Sequence, residues 1–282
     1  MRMGRVATGS VLAGVVMLGV ATGPASAAVP ERDPERYSSA ATGWGYLVTD
    51  KDGIDTWLNQ SGGRAIDVEP WGNGGFSVVS VDNATPAYTR TPGGSFSWTT
   101  GETTASLSSK ISANPTKRLI DLERHVVGGE TRFAAAWVDN TGVAAKGWWW
   151  WLNATPAQIG EKLDECGCRL IDLDPVGGGR YDVIMIPNSG VDGLSWWWYY
   201  GVTELEAYQH LADHQARPVN LEPDGSGRFA LLMVRDGLRG GMRLNQSWAD
   251  LSAPSGTRFA QVKNYTSTSG GSVWLSVYLQ NG

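Results

Sequence analysis

The sequence predicts an α+β fold made of about five tandem strand–helix–strand–strand repeats of roughly 48 residues, forming a curved sheet with helices on one side. Three observations support this prediction. The segment that starts at Trp148 matches the segment that starts at Trp196 without a gap, at an offset of 48 residues. Helix-start motifs recur at Thr155–Gln158 and Thr203–Glu206. Glycine-rich turns such as Gly177–Gly179 separate the strands that follow each helix.

Self-comparison divides the chain into five units. Their boundaries fall at about 43–90, 94–147, 148–195, 196–241 and 242–282. The first unit matches the third at an offset of 105 residues, and the fifth is degenerate. An atypical end unit is what a stack of repeats requires, because an end unit has one face without a neighbour.

The order of elements within a unit follows from local signals. An aromatic run opens the first strand. A capped helix follows, and Leu58, Leu163 and Leu211 fall at one equivalent position that predicts its inward face. Two further strands carry the motifs Arg-x-Ile-Asp-Leu and Arg-Phe/Tyr, joined by a glycine-rich turn. The unit is therefore strand, helix, strand, turn, strand.

Residues 1–27 predict a secretory signal peptide. Arg2 and Arg5 form its charged start, an apolar stretch follows, and Ala25-Ser-Ala27 provides small residues for cleavage. A membrane anchor is the alternative, but the apolar stretch is short and interrupted by Thr, Ser and Gly. We therefore expect a secreted, extracellular protein with a linker at 28–35 and a single repeat domain at 36–282.

Composition limits the class of partner. The chain has 23 basic and 28 acidic residues, a formal net charge of −5, and 14 tryptophans. A nucleic-acid or anionic-membrane binder needs clustered Lys and Arg. We expect an extracellular protein or glycan partner, with no nucleic acid, and no membrane after signal cleavage. The oligomeric state is left open.

The motifs Arg-Leu-Ile-Asp-Leu, Arg-Phe-Ala-Ala-Ala-Trp-Val and Trp-Trp-Trp resemble those of a known family. The chain is similar to the bacterial tandem repeat family that also forms the N-terminal domain of fungal polyglycine hydrolases, over about residues 36–282. The resemblance implies an α+β repeat domain of secreted proteins. In those hydrolases, catalysis belongs to a separate C-terminal domain similar to a serine β-lactamase, which needs Ser-x-x-Lys. That motif is absent from this sequence, so the resemblance implies no protease activity here.

The aromatic runs provide the main candidate binding site. Neighbours on a strand point to opposite faces. One set recurs in the ungapped alignment and predicts core: Trp44, Tyr46, Trp98, Trp149, Trp151, Trp197 and Tyr199. The other set has no counterpart in the first two units and is the candidate ligand-binding surface: Trp148, Trp150, Trp196 and Trp198. Exposed tryptophans suit sugar rings and peptides. The alternative is that two neighbouring units bury a thicker aromatic layer.

A recurring arginine opens the second strand of each unit. Its stem is expected to pack against the apolar residues of its motif, with its head paired to an Asp or Glu of an adjacent unit. This predicts a structural ladder instead of a catalytic row. The residues are Arg64, Arg118, Arg169, Arg217 and Arg258.

Two further groups of residues bear on chemistry. Glu206, His210 and His214 share one helical face and form the candidate metal set, although a solvated helix face is the favoured interpretation. Cys166 and Cys168 can form an internal disulfide, pair with another chain or remain buried thiols, and the sequence favours the internal bridge.

The leading prediction is a secreted, non-catalytic repeat domain that binds through its aromatic surface. No zinc-protease helix, Gly-x-Ser-x-Gly elbow or nucleotide motif is present, and no cofactor is expected. One alternative is a hydrolase with a site in the concave face near His210 and His214. The other is an assembly protein that uses the strand Val273–Leu279 as a pairing edge.

Overall fold

The computed structural model describes residues 41–72, 74–83, 98–141 and 145–280. The predicted signal peptide 1–27 and linker 28–35 lie outside the described residues. Four α-helices occur in the described part of the chain: α1 Lys51–Ser61, α2 Thr104–Ala113, α3 Pro156–Cys166 and α4 Glu204–His214. No helix among these residues is long and apolar enough to cross a membrane.

Strands make up most of the described chain. Those from the first half are β1 Ala41–Asp50, β2 Arg64–Trp71, β3 Gly75–Asn83, β4 Trp98–Glu102, β5 Lys117–Val127, β6 Glu130–Asp139 and β7 Trp149–Ala154. Those from the second half are β8 Cys168–Gly177, β9 Arg180–Pro187, β10 Ser195–Val202, β11 Arg217–Pro223, β12 Phe229–Arg235, β13 Gly240–Gln246, β14 Thr257–Thr266 and β15 Ser272–Gln280.

The described strands form five antiparallel three-stranded sheets with one shared order. The third strand of each sheet lies between the first and the second: β1-β3-β2, β4-β6-β5, β7-β9-β8, β10-β12-β11 and β13-β15-β14. A helix joins the first two strands in four sheets. In the fifth sheet the 3₁₀ turn Trp248–Asp250 takes the place of that helix. The coarse prediction of a sheet-rich α+β fold is therefore confirmed.

Local signals locate the starts of α3 and α4 correctly. Thr155 and Thr203 each form a capping box, in which the threonine hydroxyl accepts an N–H and the side chain three residues later accepts the cap N–H. Leu58 and Leu163 are buried, and Leu211 is half-buried against the core. Each helix covers its own sheet with this face.

The single curved sheet predicted from the sequence is wrong. Each sheet is complete with three strands, because the returning third strand pairs with both of the others. Adjacent sheets are joined by side chains instead of by a continuous backbone ladder. The strand Val273–Leu279 lies within β15, which pairs on both sides, so it cannot serve as the predicted pairing edge.

The five sheets close into a ring instead of an open stack. Neighbouring sheets contact one another in chain order, and the fifth contacts the first. At four junctions, a backbone N–H of a second strand donates to a side-chain oxygen on the second strand of the next sheet. These bonds are Val68 to Asp121 at 2.7 Å, Leu122 to Asp172 at 2.9 Å, Leu221 to Gln261 at 3.0 Å and Val262 to Asp67 at 3.3 Å.

Asn220 occupies the same motif position in the fourth sheet. Its amide nitrogen donates to Asp172 of the third sheet at 3.2 Å. The motif position that recurs as Asp, Asn or Gln therefore links every junction of the five-sheet ring. Its recurrence has a structural cause, because each buried side chain satisfies a polar group of a neighbouring sheet.

Candidate functional site

The candidate binding tryptophans lie mainly inside the protein. Trp196 and Trp198 are each 1% exposed. Trp148 and Trp150 are half-buried and pack against the same apolar cluster. The prediction of an exposed binding surface is therefore wrong for Trp196 and Trp198, and the alternative of a buried aromatic layer describes this part of the chain.

These tryptophans follow a shared structural plan. One aromatic residue in each of the first four sheets pairs with the third-strand residue that also pairs with the motif Asp or Asn. These aromatic residues are Tyr46, Trp98, Trp150 and Trp198. In three cases the aromatic side chain at this position packs onto a ring of the preceding sheet. The distances between ring centroids are 5.4 Å for Trp98 and Phe76, 6.4 Å for Trp198 and Tyr181, and 5.1 Å for Tyr46 and Phe259. The aromatic run is therefore interface core between sheets.

A single extra residue explains why the sequence comparison misaligned β1 with the other first strands. In four sheets a residue with positive φ interrupts the pairing register just before the helix or turn: Gly101, Asn153, Gly201 and Asn245. Strand β1 has no such bulge at that point. An ungapped alignment anchored on the arginine motif therefore shifts β1 by one residue, and a one-residue shift exchanges the two faces of a strand.

The predicted core set also divides differently from expectation. Trp98, Trp197 and Tyr199 are buried, whereas Trp149 is 37% exposed. Trp44, Tyr46 and Trp151 are half-buried against the core. The core prediction therefore holds fully for three of the seven residues and fails for Trp149.

The three residues of the candidate metal set each have another partner in the structure. His210 stacks on Tyr199 with centroids 3.6 Å apart, and the Nε2 atom of His214 bonds the Tyr199 hydroxyl at 2.8 Å. The Glu206 carboxylate accepts the Thr203 N–H at 2.8 Å in a capping box. The shared helical face packs on β10, so it is not the solvated face that the sequence favoured. Burial lowers the pKa of both histidines.

Cys166 and Cys168 form a disulfide with a Cα–Cα distance of 5.2 Å. Gly167 between them adopts φ of +60°, the left-handed conformation that ends α3. Cys168 is buried at the start of β8. The bridge favoured from the sequence therefore joins the end of a helix to the strand that follows it.

The five arginines of the motif are buried, as their interpretation as a ladder requires. Arg217 pairs with Asp236 at 2.5 Å, and Asp236 follows β12 of the same sheet. This ion pair of Arg217 therefore lies within one unit, whereas the sequence predicted pairing with an adjacent unit. Burial, together with the charges of Arg64 and Arg217, lowers the pKa of Arg258 to about 9. These three guanidinium groups consequently influence one another across the fourth, fifth and first sheets.

A group of four buried carboxylates and one half-buried lysine lies where the second strands of the five-sheet ring converge. We call it the axial cluster: Glu69, Glu123, Asp174, Glu222 and Lys263. Each residue comes from the second strand of a different sheet. The Nζ atom of Lys263 lies 2.6 Å from Glu69 and 2.9 Å from Glu123, and it also contacts Glu222. The ammonium group thus supplies the positive charge that these converging carboxylates require.

The axial cluster contains strongly perturbed acids. Burial raises the pKa of Glu123 and Glu222 well above the usual range, and the charge of Glu69 raises both further. Burial, with contributions from Asp182 and Glu69, raises the pKa of Asp174 to about 7. Burial acts to lower the pKa of Lys263, but Glu123, Glu222 and Glu69 raise it well above its ordinary value.

These pKa shifts predict that stability falls as pH rises. Asp174 has a pKa of about 7 in the folded state against an ordinary value of 3.8, so the folded state binds more protons between these two pH values. Its contribution is complete below the unfolded pKa and is lost as pH rises through the folded one. We expect the free energy of unfolding to decrease less between pH 5 and pH 8 in Asp174→Asn than in the wild type, measured by urea titration. Parallel pH curves would contradict this assignment.

A separate aromatic group lies at the junction of the fifth and first sheets. We call it the junction patch: Tyr46, Trp71, Trp248 and Trp274. Trp71 and Trp248 are 41% and 51% exposed, and Trp274 is buried between them. The Trp274 ring centroid lies 6.3 Å from that of Trp71 and 5.1 Å from that of Trp248. Three indole rings therefore form a row, with both ends exposed.

The missing helix of the fifth sheet explains this exposure. In the other sheets an α-helix crosses between the first and second strands, whereas here three residues make a 3₁₀ turn that carries Trp248. Trp71 ends β2 at the turn before β3. Polar groups lie beside the rings: Asn264 pairs across the sheet with Trp274 and accepts a hydrogen bond from Ser272 at 3.0 Å. The junction patch thus combines apolar faces with hydrogen-bonding groups.

The sequence comparison did not single out the junction patch. Trp248 lies in the degenerate fifth unit, and the loss of its helix pattern was the available sign that this face is uncovered. Trp71 followed by Gly72 was a second sign, because an aromatic residue in a tight glycine turn has little local burial. Their proximity could not be inferred without knowing that the fifth sheet meets the first.

Comparisons with protein-family models, with curated proteins and with solved structures found no match to this chain.

Proposed function

We propose that this chain is a secreted, non-catalytic repeat protein that binds a neutral extracellular polysaccharide through the junction patch. The observation that carries the proposal is the row of three indole rings with Trp71 and Trp248 exposed at its ends. Flat aromatic faces offer a large contact area to sugar rings at little cost in conformational entropy. The pattern of residues 1–27 supports export.

The repeat interpretation forms part of this proposal. The five described sheets share one strand order, and four share a helix at the same place, which supports descent from a repeated unit. The resemblance to the bacterial tandem repeat family is compatible with such units. In this proposal the interface tryptophans stabilise the five-sheet ring, and the divergent fifth unit provides the binding surface.

Charge favours a neutral glycan over an anionic one. The chain carries a formal charge of −5, and Asp250 lies in the same 3₁₀ turn as Trp248. Like charges repel an anionic polymer at low ionic strength. Hydroxyl-rich neutral chains, in contrast, can stack on the indoles and hydrogen-bond to the neighbouring Asn and Ser side chains.

Binding to insoluble polysaccharides tests the proposal. We expect the purified full chain to be retained on at least one neutral polysaccharide such as chitin, cellulose or a β-glucan. Trp248→Ala and Trp71→Ala should each weaken retention about tenfold or more, the effect of losing roughly 1.4 kcal/mol at an aromatic contact. Melting temperatures should change little, because both side chains are exposed.

Trp149→Ala is the matched control. Trp149 is also a partly exposed tryptophan, 37% accessible, but it lies in the third sheet, away from the junction patch. Its replacement should leave retention unchanged. Equal loss in all three variants, or retention that survives Trp248→Ala with Trp71→Ala, would contradict the proposed site. Stronger retention on anionic polysaccharides would contradict the proposed ligand class.

A further inference from the structure

We infer that the first sheet carries a binding pocket for a single neutral aromatic ring that bears an N–H or O–H group, such as an indole or a phenol. The pocket has a volume of about 210 Å³. We call it the first-sheet pocket, lined by Gly43, Trp44, Gly45, Trp57, Ser61, Gly63 and Ser80. It is separate from the junction patch and does not depend on glycan binding.

The fourth sheet shows what occupies the equivalent place elsewhere in this chain. Gly45 and Trp197 occupy equivalent positions in the first and fourth sheets. Each of them pairs with a third-strand residue, and that same residue also pairs with the second residue of the arginine motif. Ser61 and His214 are equivalent, because each is the eleventh residue after a helix N-cap. In the fourth sheet the Trp197 and His214 rings stack with centroids 4.3 Å apart.

The first sheet lacks both of these rings. Glycine replaces the tryptophan and serine replaces the histidine, so the space that holds two stacked rings in the fourth sheet is filled in part by Trp57 in the first and is otherwise lined largely by small residues. A cavity of about 150 Å³ is enough to bind benzene. The volume of about 210 Å³ therefore accommodates one substituted ring.

Trp57 provides a stacking surface within the first-sheet pocket. A Cβ atom built on Gly45 would lie 2.9 Å from Cζ2 of the Trp57 ring, so the indole rests directly against this stretch of backbone. Any larger residue at Gly45 would displace it. Trp57 is half-buried and lines the pocket, so a planar ligand can stack on the part of its ring that Gly45 does not cover, as aromatic pairs do at centroid distances of about 4.5–7 Å.

The lining selects the ligand class. No lining residue carries a charge, which favours a neutral molecule. The only side-chain hydroxyls in the lining are those of Ser61 and Ser80. A pyranose would place several hydroxyl groups against only two such partners, and a hydroxyl group buried without a hydrogen-bond partner weakens binding. An indole or phenol has one polar group, which these serines can satisfy.

Titration with small probes tests this inference on the full chain. Saturation-transfer NMR and calorimetry should detect saturable binding of indole or 4-methylphenol, whereas glucose should bind at least about tenfold more weakly. N-acetyltryptophanamide distinguishes two sources of the same chemistry. If it binds as tightly as indole, the pocket suits an aromatic side chain of a partner protein. If only indole or 4-methylphenol binds, it suits a free small molecule.

A filling variant locates the probe. Ser61→Trp places an indole at the position where the fourth sheet has His214, and Ser61 is exposed at the end of α1, so the variant should fold. We expect it to weaken probe binding about tenfold or more. Ser109→Trp, on the exposed face of α2, is the matched control and should bind as the wild type does. Failure of all three aromatic probes to bind, or equal binding to Ser61→Trp, would overturn the inference.

Discussion

Replacing Lys263 with methionine is expected to lower the free energy of unfolding by about 3–5 kcal/mol at neutral pH, the range for removing one partner of a buried ion pair. The lysine stem is retained in length, but the positive charge that contacts Glu69, Glu123 and Glu222 is lost. These carboxylates come from different sheets, so their repulsion acts directly on closure of the five-sheet ring.

The expected loss depends on pH. Removing the ammonium group raises the pKa values of the cluster's carboxyl groups further, because the positive charge of Lys263 lowers them. Protonation at pH 5 then relieves the repulsion among the carboxylates. In urea titrations, the decrease in the free energy of unfolding should therefore be smaller at pH 5 than at pH 8. Lys162→Met is the control, since Lys162 pairs with the exposed Glu165 and should cost less than about 1 kcal/mol. Equal effects of both variants would contradict the axial assignment.

Trp198→Ala is expected to destabilise the protein by about 3–5 kcal/mol, the usual cost of truncating a buried large aromatic side chain. Trp198 is 1% exposed and packs edge-on against Tyr181 of the preceding sheet. Removal of the indole ring would open a cavity at the junction of the third and fourth sheets. Thermal and urea unfolding measure the effect.

Trp149→Ala again provides the comparison, because Trp149 belongs to the equivalent aromatic run but is 37% exposed. We expect its effect on the free energy of unfolding to be less than half as large. If Trp198→Ala left the melting temperature unchanged, Trp198 would not be core. The structure would then be wrong about the face on which this strand buries its tryptophans.

Local features of the fold could be predicted from the sequence. The capping boxes at Thr155 and Thr203 and the buried Leu58 and Leu163 depend on residues a few positions apart, and the structure confirms them. The assignment of each aromatic residue to one face of its strand depends on whether the strand contains a bulge residue, such as Asn153. A comparison without gaps cannot register a bulge, so it aligned opposite faces of β1 and the bulged strands.

Long-range features could not be predicted in the same way. Ring closure depends on contacts such as Val262 to Asp67, which are 195 residues apart. No periodicity records that the fifth sheet meets the first. The same closure brings Trp248 and Tyr46 together, with ring centroids 5.9 Å apart, which is why the junction patch was missed. The histidines of α4 were recognised as one helical face, but the aromatic strand that covers them was not.

Hydrogen–deuterium exchange with and without an oligosaccharide of the retained polysaccharide tests the central claim most directly, since it locates the ligand without altering the protein. We expect protection in the peptides that contain Trp71 and Trp248, and none in the peptide that contains Trp148 and Trp149. Protection confined to the third-sheet peptide, or no protection at saturating ligand, would contradict a binding function for the junction patch.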